Sequence, residues 1–262
     1  MQPMANLALR AAREAGKQIA RAFDRPDLIK VSQKGHNDYV TNVDKEAERI
    51  IVDSLLSHYP DHKFTGEEAV ANQGRDDAEY EWLIDPLDGT LNFSRQIPHF
   101  CVALACLRKG VLEHAVILDP MRQEEFVASR GQGCQLNGRR TRVSSRKELD
   151  GAVITAGGPN MNEVADRQSE IYAHLFRQGS VVRQLGSACL DLAYVAAGRL
   201  DGVWLRGLKP WDIAAGALMV TESGGLISDF VGDSKYLQSG NVVAAPPKCF
   251  KILLPIVRKH LA

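Results

Sequence analysis

Residues 82–93 read Trp-Leu-Ile-Asp-Pro-Leu-Asp-Gly-Thr-Leu-Asn-Phe, WLIDPLDGTLNF. The apolar Trp82-Leu83-Ile84 predicts a short buried strand that runs into Asp85. Pro86 has no N–H for a sheet ladder, so the strand is expected to stop there. Asp85 and Asp88, three residues apart at a strand end, can converge on one small volume. Thr90 stands where a helix would begin, and the free N–H groups and dipole of a helix start favour an anion. Paired carboxylates suit a hard cation and the neighbouring N–H groups suit a phosphate, so the pattern points to a metal–phosphate site. Asp85 to Gly89 is also good turn chemistry, with Asp as a cap and Gly at positive φ. The stretch alone therefore leaves a plain turn open.

Composition narrows the classes. The chain has 262 residues, 45% hydrophobic and 24% charged, which is ordinary for a soluble globular protein and enough for a full core. Lys plus Arg equals Asp plus Glu at 32 each, so overall charge steers toward neither nucleic acid nor an anionic membrane. The five cysteines, Cys101, Cys106, Cys134, Cys189 and Cys249, form no CxxC pair. Their odd number fits reduced thiols in a cytoplasmic protein. Cys101 and Cys106 fall in an apolar run and read as small core residues. The seven histidines show no HxxxH or HExxH spacing, which argues against a zinc site. His99 reads as packing or surface. No apolar stretch is long enough to span a membrane, and the N-terminus lacks a signal-peptide core.

Outward from the central stretch, the periodicity predicts an amphipathic helix over 4–23. Residues 27–37 read as irregular, with a loop over 34–37. Asp38 to Asp44 leads into a second helix capped by Thr41 or Asn42 and stopped before Pro60. Lys63 to Gly66 is a short strand that ends at the paired acids Glu67-Glu68, and 73–81 reads as an exposed polar loop. Phe100 to Leu107 is a strand buried on both faces. Strands over 112–118 and 125–129 follow, with Gly131, Gly133, Asn137 and Gly138 as hairpin punctuation. The second half alternates: strands at 152–155, 181–182, 202–205, 226–230 and 242–245, and helices at 162–177, 187–197, 210–223 and 250–261. This predicts a layered α/β arrangement. The expected organisation is an N-terminal α+β lobe over 1–150 carrying most of the metal ligands and a C-terminal α/β lobe over 151–262. The two would form one compact catalytic unit with the site between them.

Three acidic groups then stand together: Glu67-Glu68, Asp85 with Asp88, and Asp212 in Lys209-Pro210-Trp211-Asp212. Singly, Asp212 reads as a dipole-stabilising acid in the first turn of a helix, and Glu67-Glu68 as a solvated loop. Together, GEE (66–68), DPLDGT (85–90) and WD followed by AAG (211–212, 214–216) resemble the signature of the inositol monophosphatase family. DYVTNVD (38–44) and ESGG (222–225) extend the resemblance over essentially the whole chain. The opening MQPM, RQEEF and LNGRR look most like its bacterial SuhB-like branch.

The resemblance implies a five-layer αβαβα fold and Mg²⁺-dependent hydrolysis of a phosphate monoester, with inositol monophosphate as the leading substrate. Carried over by position, Glu67, Asp85 and the Leu87 carbonyl would hold one Mg²⁺, and Asp85, Asp88 and Asp212 a second. Thr90 and Glu67 would orient the attacking water, Asp44 would hydrogen-bond Thr90, and the Gly89 and Thr90 N–H groups would hold phosphate. Lys34 matches a family lysine near the metals. Gly186, Ser187, Ala188 and Arg206 are substrate-side candidates, although Gly186 to Ala188 also reads as ordinary capping. Without metal the carboxylates would repel one another, and at least one pKa should rise. The resemblance further implies a homodimer, lithium sensitivity and, for the SuhB-like branch, a regulatory partner in the transcription machinery. Arg183, Arg199 and Arg206 are candidates for that surface, or members of a solvated face. Departures bear on the substrate. Leu205 stands where the family often has a Glu that contacts inositol hydroxyls, and 157–160 and Leu91 also differ. Fructose 1,6-bisphosphate or a 3′-phosphonucleotide is a rival substrate.

Overall fold

The N-terminal periodicity resolves as α1 (Pro3–Phe23), with Pro3 at its start and Ala5, Ala8, Ala12, Ala15 and Ile19 buried along one stripe. Small residues let this helix lie close to the sheet beneath it, and a Cβ on Gly16 would come within 2.7 Å of Leu118. Helix α2 (Asn42–Leu56) begins at Thr41, whose hydroxyl accepts from the Val43 N–H while the Asp44 carboxylate accepts from the Thr41 N–H. These reciprocal bonds satisfy two donors that a helix start leaves open. The computed structural model describes residues 2–35, 38–68, 71–159 and 161–262, with the side chains of 28, 31, 33–35, 38–40, 161 and 162 left aside. The predicted site role of Lys34 therefore lies outside the described side chains.

The stretch expected to be irregular before α2 instead forms an antiparallel pair, β1 (Val31–Gly35) with β2 (Asp38–Thr41). Its residues are largely polar, so no apolar alternation announces it.

A seven-stranded sheet follows in chain order. It comprises β3 (Lys63–Gly66), β4 (Tyr80–Asp88), β5 (Cys101–Arg108), β6 (Val111–Asp119), β7 (Glu124–Ser129), β8 (Gly133–Leu136) and β9 (Arg139–Arg140). Only β3 and β4 pair in parallel. A short helix, α3 (Thr90–Ser94), joins β4 to β5. Tyr80 and Glu81, expected in a loop, belong to β4.

The second sheet has five strands: β10 (Val153–Gly157), β11 (Val181–Arg183), β12 (Gly202–Leu205), β13 (Leu226–Ser228) and β14 (Val242–Ala245). Their order is β11-β10-β12-β14-β13. The first three are parallel, and β14 runs antiparallel to both its neighbours. Between them come α4 (Ala165–Arg177), α5 (Ala188–Ala196), α6 (Pro210–Glu222) and α7 (Tyr236–Ser239), and α8 (Pro247–Leu261) follows β14. The helix expected from 162 is a 3₁₀ turn over Met161–Val164 before α4 begins, and the strand expected over 226–230 stops at Ser228.

Alternation along the strands sets the layers. On β5, Val102, Leu104 and Cys106 face α1 and α2, whereas Cys101, Ala103, Ala105 and Leu107 face α5 and α6. On β12, Val203 and Leu205 face the same α5–α6 layer and Trp204 faces α4 and α8. The result is five layers, αβαβα, with one helix pair buried between the two sheets. A helix with sheets on both sides must be apolar around most of its surface, and eight consecutive residues of α6, Ile213 to Val220, are buried.

Candidate active site

Strand β4 does not stop at Pro86. It continues to Asp88 with a register shift: Asp85 lies opposite Ala103 and Asp88 opposite Cys101, so β4 carries one extra residue there. Proline is tolerated at such a bulge, and the pairing to β3 has already ended at Gly66 opposite Ile84. The bulge has a geometric consequence. Residues three apart on a regular strand point to opposite faces, and one inserted residue turns both carboxylates to the same side. The Leu87 N–H donates to Asp85 Oδ1 at 3.0 Å.

Asp85 is buried, 1% exposed. Burial first, and then the charges of Glu67, Asp88 and Asp212, push its carboxyl well above the usual range. The four predicted acids are therefore electrostatic neighbours although they come from three segments of the chain. Burial also raises Asp88, against the pull of hydrogen bonds from Ser187 and the Cys189 N–H. Like charges held together out of water carry this signature. They are neighbours rather than a closed cage. Among the described residues, the one group of three His, Cys, Asp or Glu ligand atoms within 4.8 Å of one another is Asp88, Cys101 and Cys189.

Glu67 is brought in by the end of β3, where its N–H donates to the Ile84 carbonyl. The loop after it hangs on Glu48 of α2. The fully buried Glu48 carboxylate accepts from the Glu68 N–H at 2.9 Å and the Ala71 N–H at 3.0 Å. Glu68, the second acid of the pair, is itself buried. Gly66 has no room for a side chain, since a Cβ there would sit 2.3 Å from Glu48 Oε1.

Thr90 opens α3 behind Gly89, which takes φ 96°. A Cβ on Gly89 would lie 3.0 Å from the His99 carbonyl oxygen, so conformation and space both require glycine. The Thr90 hydroxyl lies 3.0 Å from Asp44 Oδ1 and 3.0 Å from the Leu87 carbonyl oxygen. Asp44 is fully buried, and burial pushes its carboxyl up to about 6 despite bonds from Thr41 and Thr90.

The far wall comes from the inter-sheet helices. Ser187, at the start of α5, donates to Asp88 Oδ2 at 2.5 Å, and the Cys189 N–H donates to the same oxygen at 2.7 Å. Asp212, in the first turn of α6, accepts from the Lys209 N–H at 2.8 Å. Asn92 of α3 ties the two walls together by donating to the Leu185 carbonyl at 2.8 Å and the His99 carbonyl at 2.9 Å. It also fills the space beside Gly186, where a Cβ would come within 2.9 Å of it. Ala188 is partly buried next to Ser187.

Leu205, a departure from the family pattern, ends β12, and Arg206, a substrate-side candidate, follows it. Leu205, 1% exposed, belongs to the core that faces α5 and α6. Arg206 turns outward and bonds Glu163 at 3.4 Å. Its carbonyl is so close to Gly158 that a Cβ there would lie 2.0 Å away. Asn160 of the same loop lies outside the described residues. Sequence reasoning missed Glu48, Asn92 and Cys189. Glu48 had a signal: it follows Asp44 by four residues on the apolar stripe of Ala47, Ile51 and Leu55, where an unpartnered acid would be costly.

Comparison with known proteins gives the class that this fold and carboxylate cluster define. The sequence profile of the inositol monophosphatase family matches residues 1–262. The chain belongs to the inositol monophosphatase family. Within it, the chain is 53% identical to the Nus factor SuhB of Pseudomonas aeruginosa, covering 100% of this chain and 98% of that protein. It is 49% identical to the Nus factor SuhB of Escherichia coli K12 over the same shares. The extragenic suppressor protein SuhB of Bartonella henselae superposes with a TM-score of 0.93 at 37% identity, covering 98% of each chain. The inositol monophosphatase of Anabaena superposes at 0.86 with 32% identity, covering 97% of this chain and 95% of that one.

Proposed function

We propose that this protein is a Mg²⁺-dependent phosphomonoesterase for a small phosphorylated polyol or sugar, with inositol 1-phosphate as the leading substrate. The observation that carries the reading is the meeting of Glu67, Asp85, Asp88 and Asp212 from three segments of the chain, with the Asp85 carboxyl raised by burial and by the charges of the other three and that of Asp88 by burial. Burying like charges is unfavourable as a structural device, and the donor set is all oxygen, which suits Mg²⁺. In this reading Glu67, Asp85 and the Leu87 carbonyl hold one ion, and Asp85, Asp88 and Asp212 the other. Bound Mg²⁺ supplies Lewis-acid polarisation of the phosphoryl group and activation of water.

The chain's own groups do the rest. The Gly89 and Thr90 N–H groups bind phosphate oxygens at the left-handed turn. Asp44 accepts the Thr90 hydroxyl proton, which leaves a Thr90 lone pair to receive a proton from the attacking water. Glu67 fixes that water from the other side. Ser187 and the Cys189 N–H hold Asp88 in one orientation, and Gly186 to Ala188 with Arg206 border the substrate.

A second reading is favoured by the similarity to the Nus factors SuhB of Pseudomonas aeruginosa and Escherichia coli and by the buried apolar Leu205. Leucine cannot accept bonds from polyol hydroxyls, so an inositol-facing site would lose pairing there. The chain would then act as a regulatory partner of the transcription machinery. Arg183 is exposed and open to such a role, while Arg199 already holds Glu124 at 2.6 Å. A homodimer, a cytoplasmic location and lithium inhibition belong to the same proposal. Among the described residues no helix is long and apolar enough to cross a membrane.

The test is phosphate release from a panel of monoesters, including fructose 1,6-bisphosphate and a 3′-phosphonucleotide, with and without Mg²⁺. Mg²⁺-dependent hydrolysis that Asp88→Asn abolishes supports the enzyme. No hydrolysis of any ester, with transcription-complex binding intact in wild type and Asp88→Asn alike, moves the assignment to the regulatory role.

A further inference from the structure

Two cysteines lie against the carboxylate wall in a way that a hard-metal phosphatase does not require. Cys101 is the first residue of β5, opposite Asp88 across the bulge. Cys189 is in the first turn of α5, on the other wall. Both are fully buried. Cys101 Sγ is 3.9 Å from Asp88 Oδ2 and 3.8 Å from Ser187 Oγ, and Cys189 Sγ is 3.3 Å from the Asp212 carbonyl oxygen. Ligand atoms of Asp88, Cys101 and Cys189 all fall within 4.8 Å of one another. Sequence spacing could not show this, because the two thiols are far apart in the chain and meet only where the large sheet packs on α5.

These distances are near those a tetrahedral ion needs. With Zn–S and Zn–O bonds of the usual length, the S···S edge is about 3.8 Å and the S···O edge about 3.5 Å. The three atoms lie within 4.8 Å of one another, so the S···S edge must close by at most about 1 Å and the S···O edges by at most about 1.3 Å. Two sulfurs and a carboxylate oxygen form a borderline-soft donor set, which thiophilic ions prefer and Mg²⁺ does not. Ser187 Oγ and the Asp212 carbonyl stand nearby as further oxygen donors, and the acid cluster attracts any divalent cation.

We infer that Asp88, Cys101 and Cys189 form a second cation site, selective for a thiophilic divalent ion such as Zn²⁺ or Cd²⁺. Binding releases the two thiol protons to solvent and leaves the ion with three protein ligands and one open position. The ion engages Asp88 in place of its bonds from Ser187 and Cys101. Competition with Mg²⁺ for Asp88 rests on the reading proposed above; the site itself does not.

The experiment is titration of the full chain, freed of metal by chelation, with Cd²⁺ alone, followed by the ultraviolet thiolate-to-cadmium charge-transfer absorption. The expected result is a band that saturates at one equivalent, is displaced by Zn²⁺, survives Cys106→Ala with Cys134→Ala, and disappears in Cys101→Ala with Cys189→Ala. No band in the wild type, or a band undiminished in the Cys101→Ala/Cys189→Ala protein, overturns the inference. Should that double variant not fold, Cys101→Ser and Cys189→Ser singly are each expected to halve the band and weaken Cd²⁺ about tenfold or more, and unchanged titrations overturn it. The readout needs no substrate. A protein that binds Cd²⁺ in this way and hydrolyses nothing keeps this site and loses the phosphatase assignment, whereas a phosphatase with no band loses only this site.

Discussion

Asp85, Asp88 and Asp44 are carboxyl groups whose pKa values the fold raises, Asp85 by burial and neighbouring charge, Asp88 by burial, and Asp44, to about 6, by burial. The folded protein therefore holds protons that the unfolded chain has released. Stability from these groups is full below the unfolded carboxylate pKa of about 4 and is lost as pH rises through the folded values. We expect the metal-free protein to melt at progressively lower temperature between pH 4 and 7, and Mg²⁺ to flatten that decline. Asp85→Asn removes one of the opposing charges. It should raise the metal-free melting temperature at pH 7 by about 2–6 °C, corresponding to about 1–2 kcal/mol in a chain of this size, and abolish Mg²⁺-dependent hydrolysis. Calorimetry with and without chelator across pH checks this. A variant that is destabilised at pH 7, or that melts with the wild-type pH slope, removes the electrostatic account of the cluster.

Elements place these residues, and here the sequence was unevenly legible. The helix starts at Thr41 and Pro210 and the both-faces-buried β5 were readable, because caps and apolar runs are local signals. The passage of β4 through Pro86 was not, because a bulge depends on the partner strand. The β1–β2 pair was not, because its residues are largely polar. The pairing of Asp85 with Asp88 was readable in outline, but the route by which Glu67 arrives was not. It runs through Glu48, two long-range hydrogen bonds away in sequence. Glu48→Gln leaves one acceptor and turns an NH₂ group toward the other N–H, which should cost about 2–3 kcal/mol and raise the Mg²⁺ concentration for half-maximal activity. Wild-type Mg²⁺ dependence in that variant would show that the Glu48 bonds to Glu68 and Ala71 do not position Glu67. Ser187→Ala removes both a helix cap and a donor to Asp88. It should lower stability by about 1 kcal/mol and weaken Mg²⁺ dependence in the same direction, read by thermal melts and Mg²⁺ titration.

At the scale of the molecule, the site lies where β4 and its loops meet the starts of α5 and α6, the helix pair between the sheets. That layer makes Leu205 consequential. At the end of β12, its side chain faces the same α5–α6 layer from which Ser187 and Asp212 enter the site, and the strand turns at once into Arg206 and the approach to α6. An apolar residue in this layer is satisfied by packing against α5 and α6, whereas a buried acid there must find a hydrogen-bonding partner. Wild type should therefore discriminate weakly between inositol monophosphate and a simpler ester such as glycerol phosphate. Leu205→Glu supplies an acceptor for sugar hydroxyls and should shift the ratio of kcat/KM values toward inositol monophosphate by about 10-fold or more. It also places a charge in a position that is 1% exposed, at a stability cost of about 1–3 kcal/mol. Parallel kcat/KM measurements on the two esters, with a melt to confirm folding, decide it. A folded Leu205→Glu protein with an unchanged ratio would show that position 205 does not face the substrate, and the search for specificity would move to Arg206 and the 157–159 loop that its carbonyl abuts.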